Sequence, residues 1–357
     1  MSVLLVATVG GHLSELAALA ERSGVADDER VWLTWRNPQS ESVLAGEDVA
    51  WVRPVQPRQL GAVLSVARGV PGLLRRRDVT RVVTTGSALA LSVVPVARAL
   101  GIPCHFIETA TRPSGPSLTG KLLRRVPGTH LYTQNPGWAD DSWVFRGSIF
   151  EGYRPLAASS AGAERPIRRV VVTLGTMADF GFRRLLERLV EIVPADAEVL
   201  WQTGCTDTTG LPIDARPLIA ADELHSALRD ADVVVGHCGC GTALAAFEGG
   251  KYPLLVPRES AHDEHVDDHQ VFLAEELARL DLALAVRVHD LDAGHLAVAA
   301  GRAVGRVEVP PPFLLVDDEA RAVRRRGRRS AVELSAAGVG LGGPALPTTA
   351  QAGDLER

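Results

Sequence analysis

The chain contains 357 residues, of which 46% are hydrophobic and 23% charged, and its net charge is −5. This length allows two domains with sizeable cores, and the composition is that of an ordinary folded protein with no expected nucleic-acid partner. The four cysteines (Cys104, Cys205, Cys238 and Cys240) are too few and too unevenly spaced for a disulfide framework, which favours a reducing compartment.

The N-terminal sequence MSVLLVATVGGH has no basic segment, and its apolar run is only about one strand long. It predicts neither a signal peptide nor a membrane span, so we expect a cytoplasmic protein. Residues 1–150 are the cationic part, with 16 Lys and Arg against 12 Asp and Glu. Arginines 75–77 follow the apolar stretch Leu60–Leu74, and Lys121, Arg124 and Arg125 end a second short helix. Two interpretations stay open: peripheral contact with an anionic membrane surface or lipid diphosphate, or solvated helix ends that complement the helix dipole.

Strands, glycine turns and helices alternate along residues 1–150, which we predict to be one Rossmann-like domain. The predicted strands are 3–7, 31–35, 49–52, 81–85, 104–107, 130–134 and 143–146. Between the third and fourth, residues 57–77 predict a helix interrupted at Pro71. Residues 151–166 are small, polar and bounded by proline, which predicts an interdomain linker.

The alternation starts again over residues 167–310, the predicted second domain. Its predicted strands are 170–173, 199–202, 233–235 and 253–256, and residues 180–193 predict an amphipathic helix. Residues 311–357 contain an arginine-rich stretch and then a Gly-, Ala-, Pro- and Thr-rich one. We predict a C-terminal helix or tail that is partly disordered.

A glycine turn after the strand Val233–Val235 is the strongest local signal for a ligand. Gly236, Gly239 and Gly241 lead directly into good helix formers at residues 242–247. Unpaired amides and the positive end of a helix dipole therefore meet where no side chain blocks an anion, and a phosphate fits there. The glycine order differs from the dinucleotide fingerprint G-x-G-x-x-G.

Two groups of motifs resemble family 28 glycosyltransferases. GHCGCGTALAAFEGGKYPLLVPR followed by HVDDHQ is similar to the donor-binding catalytic subunit of the dolichol-pathway UDP-N-acetylglucosamine transferase, and more distantly to the peptidoglycan-precursor N-acetylglucosaminyltransferase. VGGH, TTGSALA and FIETATRPSGPSLTGKLL resemble its acceptor-binding, membrane-recruiting partner subunit. The sequence does not predict the membrane anchor that is usual in that subunit, so we expect any membrane contact to be peripheral. The resemblance covers about residues 1–305, as two families in series on one chain.

This resemblance implies an α/β protein of the GT-B fold, with two Rossmann-like parallel-sheet domains facing across a cleft. The first would bind the acceptor and the second the nucleotide sugar. The implied activity is metal-independent, inverting transfer from a UDP-sugar to a lipid-diphosphate-linked saccharide in polysaccharide or glycoconjugate biosynthesis, with no cofactor besides the donor. Two alternatives stay open: a UDP-sugar 2-epimerase of the same fold, and a non-catalytic nucleotide-sugar-binding scaffold for a partner transferase.

His12 is the candidate general base, because it follows Gly10 and Gly11 and titrates near neutral pH. Glu108, at the end of a strand, is the rival. The acceptor-binding candidates follow strand ends in the first domain: Gly10, Gly11, Thr85, Gly86, Ser87 and Arg112. The donor-binding candidates lie at strand ends and helix starts of the second: Gly175, Thr176, Gln202, Thr203, His237, Gly239, Cys240, Gly241, Thr242, Glu248, Arg258, Asp268, His269 and Gln270.

One position departs from the family pattern. These families place a ribose-binding Glu in the helix after the glycine turn, and here Ala245 matches it, with Glu248 one turn later. The acid, imidazole and amide of Asp268, His269 and Gln270 suit sugar hydroxyls, and an N-cap role for Asp268 is compatible with binding.

We predict no metal site. Cys238 and Cys240 lie near several histidines, but C-x-C without a second cysteine pair is poor spacing for tetrahedral zinc. Asp290 and Asp292 resemble a DxD motif and directly precede an Ala-rich helix, so we predict that they cap it.

Overall fold

The computed structural model describes residues 1–55, 59–112, 114–157, 166–175, 180–265 and 268–316. Residues 1–314 form one continuous packed unit. Within the described residues, no helix has the length and apolar character needed to cross a membrane.

The first sheet has seven strands, all parallel, in the order β3-β2-β1-β4-β5-β6-β7. Valine-rich runs form its centre because β-branched side chains pack well on a sheet covered on both faces. The strands are β1 (Ser2–Val6), β2 (Arg30–Trp35), β3 (Val49–Val52), β4 (Val79–Thr84), β5 (Cys104–Ile107), β6 (Thr129–Thr133) and β7 (Trp143–Phe145). The helices are α1 (Gly11–Arg22), α2 (Pro38–Val43), α3 (Leu60–Arg76), α4 (Ala88–Ala99) and α5 (Leu118–Leu123).

A short strand, β8 (Tyr153–Pro155), follows the first sheet, and then the second sheet begins. Its six parallel strands have the order β11-β10-β9-β12-β13-β14. They are β9 (Arg169–Thr173), β10 (Glu198–Gln202), β11 (Ala215–Arg216), β12 (Val233–His237), β13 (Leu254–Val256) and β14 (Leu284–Ala285). The helices are α6 (Arg183–Ile192), α7 (Ala221–Asp230), α8 (Cys240–Glu248), α9 (His269–Arg279) and α10 (Ala293–Ala300).

The last strand, β15 (Val304–Arg306), pairs antiparallel with β8, so the chain crosses between the two sheet domains at two adjacent places. After β15 the chain returns to the first domain. The guanidinium of Arg22 in α1 donates to the carbonyls of Pro311 and Ser148, and Phe313 N–H donates to the carbonyl of Arg22. A buried arginine thus ties both crossings to α1.

The predicted strands are all present, with ends that differ by at most two residues. Helix α3 continues through Pro71, contrary to the predicted interruption. Its buried face of Val66, Val70 and Leu74 extends past the proline, and burial of that face outweighs one lost backbone hydrogen bond. Within the predicted linker 151–166, β8 forms because β15 supplies its partner.

Asp292 is the N-cap of α10, in a reciprocal capping box with His295, which confirms the capping prediction for Asp292. Asp290 does not cap the helix and pairs with His289 instead. The sequence did not predict α7, β11, β14, β8 and β15. The arginine-rich and glycine-rich predictions for residues 317–357 lie outside the described residues.

Candidate active site

The candidate turns lie where strand order reverses in both sheets. Each sheet shares the order 3-2-1-4-5-6 over its first six strands, so the reversals fall between β1 and β4 and between β9 and β12. Ligands bind to open α/β sheets at such points, outside the carboxyl ends of the strands. The turns after these four strands contain Gly10, Gly86, Gly175 and Gly239.

The N-termini of α1 and α8 meet across the two domains. A Cβ placed on Gly11 would lie 3.6 Å from the amide nitrogen of Gly241 and 3.7 Å from Cβ of Cys240. In α8 the first helical hydrogen bond runs from Ala243 N–H to Gly239 O, which leaves three amides, at residues 240–242, without a helical acceptor. Two positive dipole ends therefore point to one place, which favours an anion there.

His12 stands at the start of α1 and is held by the first domain. Its Nδ1 lies 3.0 Å from the carbonyl oxygen of Thr85, and the Thr85 hydroxyl donates to the carbonyl of His12 at 2.8 Å. A carbonyl can only accept, so Nδ1 carries the proton and Nε2 keeps its lone pair. Burial, and then the charges of Arg112 and His269, lower the pKa of His12 to about 4, although the bond to Thr85 acts in the opposite direction.

In the TTGS turn after β4, Thr85 supports His12, whereas Ser87 is available to contact a ligand. Thr85 is fully buried and serves His12, and a Cβ on Gly86 would lie 2.9 Å from the Phe106 ring. Ser87 is half-buried, and its side chain makes no capping hydrogen bond to α4. Its φ of 64° with ψ of −177° is a conformation that costs a non-glycine residue about 1–3 kcal/mol. Such strain clusters at ligand sites, and Ser87 is the residue of this turn best placed to contact a ligand.

Glu108 is buried and engaged within the first domain. One carboxylate oxygen accepts from the backbone N–H of Ser117 at 2.8 Å and from its hydroxyl at 2.9 Å. Burial raises the pKa of Glu108, and these hydrogen bonds oppose the rise. The contacts favour a role in holding the start of α5. Arg112 is half-buried, and its charge acts on both Glu108 and His12.

In the second domain, the ring of His237 lies between two glycine turns. A Cβ on Gly175, whose φ is 74°, would lie 2.6 Å from the ring, and a Cβ on Gly239 would overlap its Nε2. The ring also meets the hydroxyl of Thr242, with 3.3 Å between Nδ1 and Oγ1. Burial, and then the charge of Arg258, lower its pKa to about 3. His237 is therefore a neutral ring that spaces the two turns, and both glycines are needed to admit it.

The remaining donor candidates line the same strand ends at different depths. Gln202 and Thr203 are buried, and the Gln202 amide donates to Thr173. Arg258 is buried and donates to the carbonyls of Phe180 and Leu174. Thr176 lies outside the described residues.

The side chains of Asp268, His269 and Gln270 have different surroundings in the structure. Asp268 is the exposed N-cap residue of α9, and its carboxylate accepts from Ser260 N–H at 2.8 Å. The buried Gln270 accepts from Arg258 N–H. His269 is half-buried with its ring centroid 4.4 Å from that of His265, and its charge is felt at His12 in the other domain. Of the three, His269 is the one that approaches the meeting of α1 and α8.

Comparison with known proteins identifies the type of enzyme. Residues 170–303 match the glycosyltransferase family 28 C-terminal domain. The chain is a glycosyltransferase that resembles family 28 over its second domain. Over 305 residues it is 26% identical to the UDP-N-acetylglucosamine--N-acetylmuramyl-(pentapeptide) pyrophosphoryl-undecaprenol N-acetylglucosamine transferase of Parasynechococcus marenigrum, covering 77% of this chain and 82% of that enzyme. The enzyme of the same name from Thiobacillus denitrificans is 26% identical over 341 residues, covering 85% of this chain and 92% of its own length.

Solved structures share the fold of this glycosyltransferase. The glycosyltransferase SnogD from Streptomyces nogalater has a TM-score of 0.52 and 20% identity, covering 84% of this chain and 93% of its own. The spinosyn forosaminyltransferase SpnP has the same TM-score and identity, covering 84% and 92%. The predicted GT-B fold with two Rossmann-like domains is confirmed.

Glu248 lies at the far end of α8 of this glycosyltransferase, about 12 Å of helix from the glycine turn. Its carboxylate accepts from the Tyr153 hydroxyl and pairs with Arg306, which also lies 3.6 Å from Glu21 of α1. These contacts join the C-terminal ends of α8 and α1, and the structure does not bring Glu248 to the other donor candidates.

Glu15 was not among the candidates from the sequence. Its carboxyl group is 0% exposed, and it contacts both Thr109 and Cys240, which lie in different domains. The available signal was a carboxylate on α1 between positions that lie on its apolar face, Leu13, Leu16 and Leu19. A charged residue at such a position needs buried polar partners.

Proposed function

We propose that this glycosyltransferase transfers N-acetylglucosamine from its UDP derivative to a saccharide carried on a lipid diphosphate, with inversion and without a metal ion. The observation that carries the proposal is the meeting of the N-termini of α1 and α8, because His12 is the second residue of α1. The donor and the lipid-diphosphate acceptor are those in the names of the relatives.

The free amides of residues 240–242 and the dipole of α8 would hold the donor diphosphate. These groups stabilise the negative charge that grows on UDP as the glycosidic bond breaks, and they need no reorganisation at that moment. The nearby N-terminus of α1 adds a second positive dipole end. This positive potential is the reason why we propose that transfer needs no metal ion.

His12 would act as the general base. Its Nε2 takes the proton of the acceptor hydroxyl while the hydroxyl oxygen attacks the anomeric carbon and the bonding electrons leave with UDP. At neutral pH the lowered pKa keeps His12 unprotonated, as a base requires. A diphosphate bound nearby raises that pKa again, because the anion favours the imidazolium.

On the acceptor side, the start of α4 and Arg112 would bind the lipid diphosphate. Ser87 is the N-cap residue of α4, a helix of 12 residues whose N-terminus favours an anion. Arg112 supplies a guanidinium able to bind phosphate with two hydrogen bonds. Both belong to the same half of the molecule as His12, which the acceptor hydroxyl has to reach.

Peripheral contact with the cytoplasmic face of an anionic membrane completes the proposal. Leu60 and Leu64 on α3, and Leu118 and Leu122 on α5, are exposed. Lys121, Arg124 and Arg125 lie on or just after α5. Exposed leucines beside basic residues suit an anionic lipid surface.

The test uses the full chain with UDP-N-acetylglucosamine, other nucleotide sugars, and lipid-diphosphate saccharides in vesicles. We expect donor at about 100 times its Kd to stabilise the protein by about 2.7 kcal/mol, and mass spectrometry to detect an extended acceptor that also forms in EDTA. No stabilisation by any uridine nucleotide refutes the proposal. A free epimerised sugar as product identifies a 2-epimerase, and donor binding without turnover identifies a scaffold.

A further inference from the structure

The carboxyl group of Glu15 is buried where the two domains meet. It accepts a hydrogen bond from the Thr109 hydroxyl at 2.6 Å and one from the Gln134 amide at 3.3 Å. The backbone N–H of Ala110 and the thiol of Cys240 also lie close enough to stabilise its charged form. Three of these four groups follow β5 and β6 in the first domain, and the fourth belongs to the first residue of α8 in the second.

These contacts connect the acceptor half to the first turn of the donor helix. The Gln134 amide also donates to the carbonyl of Glu108, and its oxygen accepts from Ile149 N–H, on the segment that leads to the second domain. Cys240 carries one of the three α8 amides that have no helical acceptor. A change of charge on Glu15 would therefore act directly beside an anion at those amides.

The surroundings set the proton equilibrium of Glu15. Burial raises its pKa to about 7, although the donors from Thr109, Cys240 and Ala110 oppose the rise. The titratable groups that face it are the carboxyl of Glu108 and the Cys240 thiol, whose own pKa burial raises well above its usual value. A negative charge at the start of α8 favours the uncharged carboxyl, because like charges at short range in a buried site repel strongly.

We propose that Glu15 is a positioning residue that takes up a proton from solvent when a nucleotide diphosphate binds at the N-terminus of α8. The proton stays on the carboxyl group and removes the repulsion while the contacts to Thr109 and Cys240 hold the two domains in register. This inference rests on the proposed function. This coupling makes donor affinity fall as pH rises above about 7, because Glu15 is then ionised in the free protein and has to take up a proton when the donor binds.

The experiment measures binding of UDP-N-acetylglucosamine calorimetrically at pH 8, in buffers of different ionisation enthalpy, to count the protons taken up. This ligand has a doubly esterified diphosphate and brings no group that titrates near neutral pH. We expect uptake approaching one proton in the natural protein and none in Glu15→Gln. The natural protein should lose up to about tenfold in affinity per pH unit above 7, and Glu15→Gln should show no such loss.

A second variant guards against misfolding of Glu15→Gln. Thr109→Val removes a hydrogen bond that favours the charged carboxylate, so the pH at which affinity begins to fall should move upward. A role of Glu15 confined to packing would not produce that movement. An unchanged onset in Thr109→Val, or unchanged proton uptake in Glu15→Gln, overturns the inference.

His12 is the alternative proton acceptor, and His12→Gln separates it. If the uptake disappears in His12→Gln and persists in Glu15→Gln, the proton belongs to His12 and the inference is wrong. If the natural protein does not bind the nucleotide sugar at all, the proposed function fails instead, so the two failures are distinguishable.

Discussion

Substitution of Gly239 by alanine tests the assignment of His237 as the ring that spaces the two donor-domain turns. The backbone of Gly239, with φ −102° and ψ 143°, accepts alanine without strain, so any cost comes from the added Cβ. That Cβ would overlap Nε2 of His237 and lie 3.1 Å from both Cδ2 and Cε1. On the other side the ring already meets Gly175, where a Cβ would lie 2.6 Å away.

Because the ring has a glycine backbone on each side, it cannot simply move aside. Overpacking of this kind costs about 1–3 kcal/mol, and we expect Gly239→Ala to lower the free energy of unfolding by that amount. The measurement is urea denaturation of Gly239→Ala in the natural chain and in a His237→Ala background. Removal of the ring should remove most of the cost, so the two substitutions should be strongly non-additive.

Gly69→Ala is the matched control. Gly69 lies in α3, and a Cβ added there would have no atom within 4 Å. At this position alanine should stabilise the helix by about 0.5–1 kcal/mol. An equal cost of Gly239→Ala with and without His237 would refute the assignment.

Four further predictions concern catalysis, pH, helix capping and membrane contact. His12→Ala should lower kcat by about 10²–10⁴ with little change in donor affinity, measured by steady-state kinetics; unchanged turnover would show that another group is the base. On the acid side, the kcat/KM of the natural enzyme should fall only as pH drops toward about 4, because burial disfavours protonation of His12 in the free enzyme, and a decline near pH 6.5 would contradict the burial of this ring. Asp292→Ala should cost about 1 kcal/mol in urea denaturation by removing the cap of α10, whereas Asp290→Ala should cost under about 0.5; equal effects would argue against the capping box. Leu64→Glu should weaken sedimentation with anionic vesicles, and Leu218→Glu, at an exposed leucine of the other domain, should not; equal binding of both would exclude this face of α3 as the contact.

Local patterns were sufficient to predict most of the fold. Runs such as Val233–Val235 and Val79–Thr84 are β-branched, end at glycine turns and recur with helices between them, so a doubly wound sheet follows from residues close in sequence. The short edge strands β11 and β14 have two residues each, too few for any periodicity. Strand β8 forms only because β15, about 150 residues later, pairs with it.

The sequence predicts the turns of the candidate site but not the side-chain contacts that complete it. The motif VGGH gives His12, but nothing near it indicates the carbonyl of Thr85 that fixes its tautomer, 73 residues away. Glu15 depends on Gln134 and Cys240, far along the chain, and its environment exists only after folding. A glycine pattern likewise does not distinguish a turn that admits phosphate from one that admits a neighbouring ring, which is the situation at Gly175 and Gly239.

The paired crossings beside the C-terminal ends of α1 and α8 have a mechanical consequence. Two adjacent chain segments tied together at β8 and β15 would serve as a pivot between the halves. The glycine ends of α1 and α8 lie at the tips of lever arms of about 18 Å and 13 Å. A swing of roughly 10° about the pivot would part those tips by about 2–3 Å, while the ion pairs of Arg306 near the pivot would hardly lengthen. A small rotation would therefore admit or release a ligand at the tips by parting the Glu15–Cys240 contact, while the halves stay fastened at the pivot.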